Sequence, residues 1–269
     1  MTRKTSTTSE LWLKNATLMD DLFMTMALND KKAVKEFLRI ILNIDLEITS
    51  VTPQAKLVNG NSKAIVLDIL ALDEKGNKYD IEIQKARINC LSQRARYYSA
   101  VLDCNSLSVG KSFDEMASSW VIFILEKDIF KKGCPLYHCE KFIIEAGDFA
   151  YDGSHIVYVN GEYAGEDEIG SLMKDFKCTE VNEVSNKVLK DRYTYCKDDK
   201  EGATLTREQY DDNMLKQEIE VTERVTKSVT QSVKTVSAMN LLKTKVPLEV
   251  ISSCLVLSLD EIKLLQSKI

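Results

Sequence analysis

The sequence contains little that would interrupt regular secondary structure. Its 269 residues include only three prolines and ten glycines, and these are the residues that most often end helices and strands. We therefore expect long helices and uninterrupted strands. The length suffices for one large hydrophobic core, or for one core and an appended segment.

Several catalytic signatures are also missing. The chain has only two histidines, His138 and His155, so acid–base chemistry by histidine is poorly supplied. It has no glycine-rich P-loop, no G-x-S-x-G and no HExxH. The motifs of P-loop nucleotide binding, of serine hydrolases and of zinc proteases are therefore absent.

Signals for secretion, membrane insertion and cysteine-based metal binding are missing as well. The first ten residues, MTRKTSTTSE, hold no apolar core, and the apolar stretch at 120–125 is too short to cross a bilayer. The seven cysteines include no CxxC pair, and Cys134, His138 and Cys139 have no second ligand cluster near them in sequence. We expect reduced thiols in a cytoplasmic protein with no membrane partner.

A strong basic charge is also lacking. The formal net charge is -5 and the pI is about 5.3, with 44% hydrophobic and 29% charged residues. These values are ordinary for a soluble globular protein and argue against a broad basic surface for nucleic acid. A local basic groove is compatible with them, because net charge does not describe a single site.

The hydrophobic spacing predicts a mixture of helices and strands. Helices are expected at 10–44, with a break and cap at Asn29-Asp30, and at 89–104, 166–177 and 180–197. Strands are expected at 63–72, 78–85, 119–130, 141–147 and 155–161. The run at 119–130 is almost continuously apolar, which is typical of a strand buried on both faces.

The composition changes after about residue 200, and we divide the chain at that point. Residues 1–200 are predicted to form the main domain, 201–236 a long helical linker and 237–269 a small helical segment. Within the linker, valines recur every fourth residue at 221, 225, 229 and 233, which indicates either a solvated helix with one packed edge or a homodimer contact. The last segment fits either a helix-turn-helix or a small helical cap.

Residues 67–84, LDILALDEKGNKYDIEIQ, predict two β-strands joined by a short turn. Glu-Lys-Gly at 74–76 fits a three-residue hairpin loop that ends with glycine in the left-handed conformation. The register that this turn fixes puts Asp68 directly opposite Glu82. Gln84 lies two residues further and shares the face of Glu82.

The predicted placement of Asp68 opposite Glu82 brings two negative charges close together. Their Cβ atoms would lie about 4.5–5.5 Å apart, so Asp68 and Glu82 would repel, and burial would strengthen the repulsion. A shared proton, a nearby Arg or Lys, or a divalent cation such as Mg²⁺ or Mn²⁺ would offset it. Alternatively both acids face solvent, an interpretation that Asp80 on the same face supports.

The pattern of an acid on one strand and Glu-x-Gln on the next resembles the PD-(D/E)XK nucleases. More of the chain is similar to one branch, the PD-(D/E)XK nuclease family transposases, which are related to the Rpn recombination-promoting nucleases. The matching stretches are TLMDDLFM (17–24), VLDILALDEKGNKYDIEIQ (66–84), RARYYSAVLD (94–103), PLYH (135–138), DGSHIVYVNG (152–161) and LMKDFKCT (172–179).

The resemblance implies a fold and a chemistry. The fold is a restriction-endonuclease-like αβββαβ core of the α/β class with a mixed sheet and a C-terminal helical extension. The chemistry is Mg²⁺- or Mn²⁺-dependent cleavage of DNA, with Asp68, Glu82 and the Ile83 carbonyl as metal ligands. Gln84 occupies the position of lysine in the wider superfamily. Glutamine can orient a water molecule but adds no charge, so slower hydrolysis is compatible with this departure.

The resemblance also implies an acid in the helix before the sheet. The pattern D-x-x-F selects Asp20, with Phe23 as its aromatic residue, and Asp21 is the neighbouring choice. Helix capping or simple surface exposure would explain either acid equally well.

Basic residues follow the motif. Arg94 matches an arginine that the family has in its next helix, where it could contact a phosphate or pair with the acids; alternatively it covers the helix surface. Lys85 and Arg87 could meet the DNA backbone or be solvated.

The sequence therefore favours a metal-dependent DNA endonuclease associated with mobile elements or recombination. The alternative is a catalytically weak or inactive nuclease-fold protein that binds DNA or a protein partner. The acidic pI, the glutamine at position 84 and the valine-rich helix are compatible with that alternative.

Overall fold

The computed structural model describes residues 7–58, 63–85, 89–107 and 109–267. Its helices are α1 (Thr8–Asn15), α2 (Asp21–Ala27), α3 (Lys31–Leu42), α4 (Leu91–Cys104), α5 (Glu168–Asp175), α6 (Lys187–Lys197), α7 (Lys200–Lys243), α8 (Leu248–Leu255) and α9 (Leu259–Gln266). Its strands are β1 (Ile48–Leu57), β2 (Ile65–Asp73), β3 (Lys78–Gln84), β4 (Ser119–Leu125), β5 (Leu136–Cys139), β6 (Phe142–Ile143), β7 (Asp148–Phe149) and β8 (Ser154–Asn160).

Six of the strands form one mixed sheet in the order β1-β2-β3-β4-β8-β5. The first three strands pair antiparallel, β3, β4 and β8 pair parallel, and β5 runs antiparallel to β8. The connection between the parallel strands β3 and β4 contains α4, as parallel pairing requires a long crossover. The succession α3-β1-β2-β3-α4-β4 is the expected αβββαβ core, so the predicted fold class is confirmed.

The sheet is covered on both faces. One face packs against α2, α3, α5 and α6 in what we call the α3-side cluster, whose largest buried members include Phe23, Phe37, Phe176 and Tyr193. The other face packs against α4 in the α4-side cluster, through residues such as Tyr98 and Phe123. β3 and β4 lie in the middle of the sheet, so both are buried on both faces.

The predicted helical break at Asn29-Asp30 is confirmed. The Asp30 side chain caps α3 by accepting hydrogen bonds from the N–H groups of Lys32 and Ala33 at 2.9 and 3.0 Å, which satisfies donors that the first helical turn leaves unpaired. The helix ends at Asn43, whose φ of 53° is left-handed. A second break, between Asn15 and Asp21, was not predicted.

Several strand boundaries differ from the prediction. β4 ends at Leu125 rather than at 130, because Asp128 folds the following residues into a turn by accepting from the N–H groups of Lys131 and Gly133 at 2.9 and 2.8 Å. The segment 141–147 contributes only the short strand β6. The position of β1 was not predicted. It is an edge strand with a largely polar sequence that includes Pro53, so it lacks the hydrophobic alternation by which strands are recognised.

The predicted hairpin register is confirmed. β2 and β3 pair from Ile69 with Ile81 to Leu72 with Lys78, as the turn requires. Gly76 has a φ of 81°, the left-handed conformation expected at the end of the three-residue loop.

The chain divides into two compact units, Met1–Glu208 and Gln209–Ile269. In the second unit, the end of α7 packs with α8 and α9 around Ala238, Ile251, Leu257 and Ile262. A short turn joins α8 to α9, which begins with Ser258 in a capping box. The first turn of α9 carries Asp260 and Glu261. In a helix-turn-helix, the N-terminal residues of the second helix contact DNA. At that position in α9, these two acids would repel the phosphates. Within the described residues, no helix is both long and apolar enough to cross a membrane.

Candidate active site

The regular pairing of β2 with β3 ends one residue before the two predicted acids. The last backbone pair is Ile69 with Ile81. Beyond it, the N–H of Ile83 donates to Asp68 Oδ2 at 3.2 Å, and the N–H of Asp68 donates to Glu82 Oε1 at 2.9 Å. Each carboxylate thus accepts a hydrogen bond from the backbone of the neighbouring strand. The structure brings Asp68 and Glu82 together where the two strands separate.

Both strands beside this point are irregular. Residues two apart in a strand normally share a face, but Ile69 packs in the α3-side cluster and Leu67 in the α4-side cluster. Opposite Asp68 on β1, Gln54 has a φ of 50°, a left-handed conformation that is uncommon outside glycine. Its amide nitrogen lies 3.5 Å from Asp68 Oδ1. At Asp68, the side chains of β2 therefore switch from one face of the sheet to the other. This irregularity lies where β2 separates from β3 at the acids.

Asp80 is a third acid of this cluster, and the sequence interpretation of it was wrong. It was taken as support for a solvent-facing strand, but Asp80 and Glu82 are both 0% exposed. The α4-side cluster covers that face, and the neighbouring strand β4 contributes Val121 and Phe123 directly beside the two acids. Among the described residues, neither carboxylate oxygen of Asp80 has a hydrogen-bond partner.

Burial is the main cause that raises the pKa values of all three acids, and repulsion from neighbouring acids adds to it. Burial raises the pKa of Asp68 to about 6, opposed by its hydrogen bond from the Ile83 N–H. Burial, and then the charge of Asp68, raise the pKa of Glu82. Burial, and then repulsion from Glu82 and Asp68, raise the pKa of Asp80 well above its ordinary value. Burial therefore favours the protonated form of Asp80, and the cluster as a whole is short of positive charge.

Arg94 supplies one positive charge to this cluster. It lies in the first turn of α4 and donates to Glu82 Oε2 at 2.6 Å and to Gln84 Oε1 at 3.0 Å. Its guanidinium also lies 4.9 Å from the ring centroid of Tyr98 and 5.4 Å from that of Phe123, contacts that favour a cation over an aromatic face. Of the three alternatives for Arg94, pairing with an acid of the site is the one observed.

Asp20 and Asp21 both lie at the start of α2, with different contacts. Asp20 accepts from the N–H of Thr17 at 2.9 Å and forms an ion pair with Lys85. Asp21 is exposed; partial loss of hydration raises its pKa, Lys85 opposes the rise and Asp20 adds to it. The charge of Asp21 in turn contributes to the raised pKa of Asp68. The two candidates for the upstream acid thus differ in their surroundings: Asp20 is held by Thr17 and Lys85, whereas Asp21 lies at the surface.

Lys85 follows the motif and faces these upstream acids, while Arg87 lies outside the described residues. A cleft of about 460 Å³ opens beside Gln84, between the start of α4 and the loop after β4, and its lining includes Lys85, Lys127 and Lys131. Lys127 pairs with Glu162 at 3.1 Å. A larger cavity of about 850 Å³ lies near α1 and α6, but none of the predicted site residues lines it. Of these two, the smaller cleft is the one lined by a predicted site residue, Gln84.

The family of the chain follows from a comparison with family models. Residues 21–228, more than three quarters of the chain, match the model described as PD-(D/E)XK nuclease family transposase. The chain belongs to this family. No curated protein and no solved structure matches it. The matched region of this PD-(D/E)XK family member includes Asp68, Glu82, Gln84 and Arg94, so the sequence resemblance is confirmed at the level of the family.

The donor atoms and charges of the PD-(D/E)XK site fit a divalent cation. Its carboxylate oxygens are hard ligands, and Mg²⁺ is commonly held by one or two carboxylates while keeping several waters. Two buried carboxyl groups and the half-buried Asp68, to which Arg94 is the one hydrogen-bonded cation among the described residues, leave negative charge for a cation to balance. Among the described residues, no three Asp, Glu, His or Cys side chains converge as metal ligands. The remaining ligands would therefore come from the predicted Ile83 carbonyl and from water.

Sequence reasoning missed Asp80 and Gln54 as members of the site. Asp80 carried a usable signal. It alternates with Glu82 on β3, and the next strand of the sheet, β4, is continuously apolar, which indicates that this part of the sheet is covered on both faces. Gln54 carried no such signal. Its place opposite Asp68 depends on the pairing of β1 with β2 and on its own left-handed backbone.

Proposed function

We propose that this protein is a divalent-metal-dependent endonuclease that hydrolyses DNA phosphodiester bonds and acts in recombination or on mobile elements. The observation that carries the proposal is the exchange of hydrogen bonds between Asp68 and Glu82 at the point where β2 and β3 separate. Membership of the PD-(D/E)XK family supports it. Strand transfer is not part of the proposal, since no described feature calls for it.

Each residue has a distinct part in the proposed hydrolysis. Asp68 and Glu82 would hold the cation, with the Ile83 carbonyl as a further ligand. Bound there, Mg²⁺ or Mn²⁺ would polarise a phosphoryl oxygen and lower the pKa of a water molecule. Gln84 would orient the attacking water through its amide, which can donate and accept hydrogen bonds.

Arg94 acts in this proposal as a positioning residue. A planar guanidinium can bond two acceptors in fixed directions, and Arg94 bonds both Glu82 and Gln84. It thereby fixes a metal ligand relative to the residue that orients water. It also lowers the repulsion within the acid cluster, as its opposing effect on the pKa of Asp68 and of Glu82 indicates.

DNA contact is proposed for the cleft beside Gln84. Lys131 brings positive charge to its wall, next to Lys85, which is paired with Asp20, and positive charge is what binds a phosphate backbone. The acidic pI is compatible with this local arrangement.

The proposal predicts metal-dependent nicking of supercoiled plasmid by the purified full chain. Mg²⁺ or Mn²⁺ should convert supercoiled plasmid to open-circular or linear product, and EDTA should prevent it, because the acids alone supply no Lewis acid. Agarose gel electrophoresis over time measures the conversion. A folded protein that leaves plasmid intact with both metals would contradict the proposal and favour the DNA-binding or protein-binding alternative.

A second prediction concerns Arg94→Lys. Lysine keeps the charge but lacks the planar fork, so it cannot reproduce the bonds to Glu82 and Gln84 together. We expect cleavage to fall about 10–100-fold, the usual cost of losing a group that orients metal ligands. Arg96→Lys is the matched control, because Arg96 is exposed on the same helix. Equal activity of the two variants would remove Arg94 from the mechanism.

A further inference from the structure

The long helix α7 exposes a nearly uncharged face in the second compact unit. At 3.6 residues per turn, its apolar residues between 214 and 236 fall within about 160° of arc. They are Met214, Leu215, Ile219, Val221, Val225, Val229, Val233 and Val236. Glu218 is the one charged residue that falls within the same arc. We call this surface the valine face.

The valine face is open to solvent. Val221, Val225, Val229 and Val233 are 48–58% exposed, although burying such side chains is what ordinarily stabilises an amphipathic helix. From 221 to 236, nine of sixteen residues are valine or threonine, and β-branched residues are weak helix formers. A helix of this composition needs packing on its apolar face to be stable along its length.

Charge along the helix is divided between two halves. Residues 211–223 contain five acids and one base, Lys216, whereas residues 224–236 contain Arg224, Lys227 and Lys234 and no acid. The helix dipole favours such a bias only within the first and last turns, and these residues lie in the interior of α7. The dipole therefore does not account for the division.

We propose that the valine face binds a second copy of this chain, with the two α7 helices antiparallel. Antiparallel pairing brings the acidic half of each helix to the basic half of the other, whereas parallel pairing would bring like charges together. The paired segment of 23 residues is about 35 Å long, a little over three heptads, which is the length at which coiled-coil pairing becomes well defined. The proposal does not depend on nuclease activity.

The first test compares two double variants of the full chain by analytical ultracentrifugation. At sufficient concentration, the wild-type protein should sediment as a dimer, with twice the chain mass of 30.5 kDa. Val225→Glu with Val229→Glu should raise the dimer dissociation constant by about 100-fold or more, because four carboxylates per dimer would lose water. Gln217→Glu with Gln231→Glu adds the same charge outside the valine face and should remain dimeric.

Circular dichroism keeps this test interpretable. Glutamate has a higher helix propensity than valine and about the same as glutamine, so neither pair of substitutions lowers the intrinsic helix propensity of α7, and a loss of helical signal would report a loss of packing. Should the valine-face variant lose helix in its monomeric form, that loss would also support the proposal, since the control variant would retain it. A wild type that remains monomeric at every concentration, or a valine-face variant as dimeric as the control, would overturn the proposal.

The second test decides the orientation of the two helices. Glu220 and Lys234 are fourteen residues apart, about 21 Å along one helix, too far for a zero-length cross-link within the chain. In a mixture of unlabelled and heavy-isotope-labelled protein, mixed-isotope cross-links between the acidic half and Lys227 or Lys234 should form. A dimer whose cross-links join the acidic half only to Lys216 of the other copy would be parallel and would refute the antiparallel arrangement.

Discussion

Glu82→Gln is expected to reduce metal-dependent DNA cleavage by about 10²–10³-fold or more, the scale on which removal of one preorganised charged group acts in an active site. The substitution keeps the shape of the side chain and an acceptor for the Asp68 N–H. It removes the negative charge that would bind a cation and that pairs with Arg94 at 2.6 Å. Initial rates of plasmid nicking in saturating Mg²⁺ measure the effect.

Asp68→Asn should have an effect of the same size, because its carboxylate lies beside Glu82 across the gap between the strands. Glu74→Gln is the matched control: this acid is exposed in the turn of the same hairpin, and its variant should cleave like wild type. Isothermal titration with Mg²⁺ should show weakened binding for the two site variants alone. Wild-type cleavage by both site variants would mean that the activity lies elsewhere or in a contaminant.

Asp80→Asn is expected to stabilise the protein at neutral pH in the absence of metal. Burial and repulsion from Glu82 and Asp68 penalise a charged Asp80. No described residue donates a hydrogen bond to either of its oxygens, and a buried polar group without such a partner costs about 1–3 kcal/mol. Asparagine carries no charge, and its amide can donate to Glu82 as a protonated carboxyl would. We expect a rise of several degrees in the melting temperature, measured by calorimetry in EDTA.

The gain should depend on pH in a defined direction. The folded protein raises the pKa of Asp80, whereas the unfolded chain titrates at the ordinary value of about 3.9. Folding therefore binds a proton, so the stability from this group is present below about pH 4 and is lost as pH rises toward the folded pKa. The advantage of Asp80→Asn should accordingly be smallest near pH 4 and grow toward pH 8.

Asp175→Asn provides the contrasting control for burial. Asp175 is also 0% exposed, but it accepts hydrogen bonds from the N–H groups of Ser185 and Asn186, both at 2.8 Å. Its replacement should destabilise the protein, because an amide group offers one acceptor where the carboxylate offers two. If Asp80→Asn destabilised the protein as much as Asp175→Asn, Asp80 would have a partner that offsets its charge.

The hairpin at the site was predictable because its cause is local. A three-residue turn ending in Gly76 sets the register, and the register sets which residues of β2 and β3 are neighbours. The alternation of Asp80 and Glu82 was equally visible. Whether that face met water or a helix was not, since it depends on α4, which packs there from a later part of the chain.

The C-terminal helix shows the same distinction. Its apolar spacing was visible in the sequence, but the predicted helical linker 201–236 fell short of the observed Lys200–Lys243. Residues 237–243 were assigned to the next segment, whereas the helix continues through them. Only the structure established that the valine face is exposed within its own unit, because exposure depends on which other elements pack against a helix.

The sequence by itself therefore determined the family, the hairpin register and the pair Asp68 and Glu82, while the αβββαβ order came from the family resemblance. The register and the pair follow from short-range patterns, in which each residue's neighbours along the chain fix its conformation and face. Tertiary structure alone decided that β2 parts from β3 at the acids, that Gln54 lies opposite Asp68 and that Asp80 is buried where no described residue donates a hydrogen bond to its oxygens. Those features depend on contacts between segments far apart in sequence, and local patterns carry no record of such contacts.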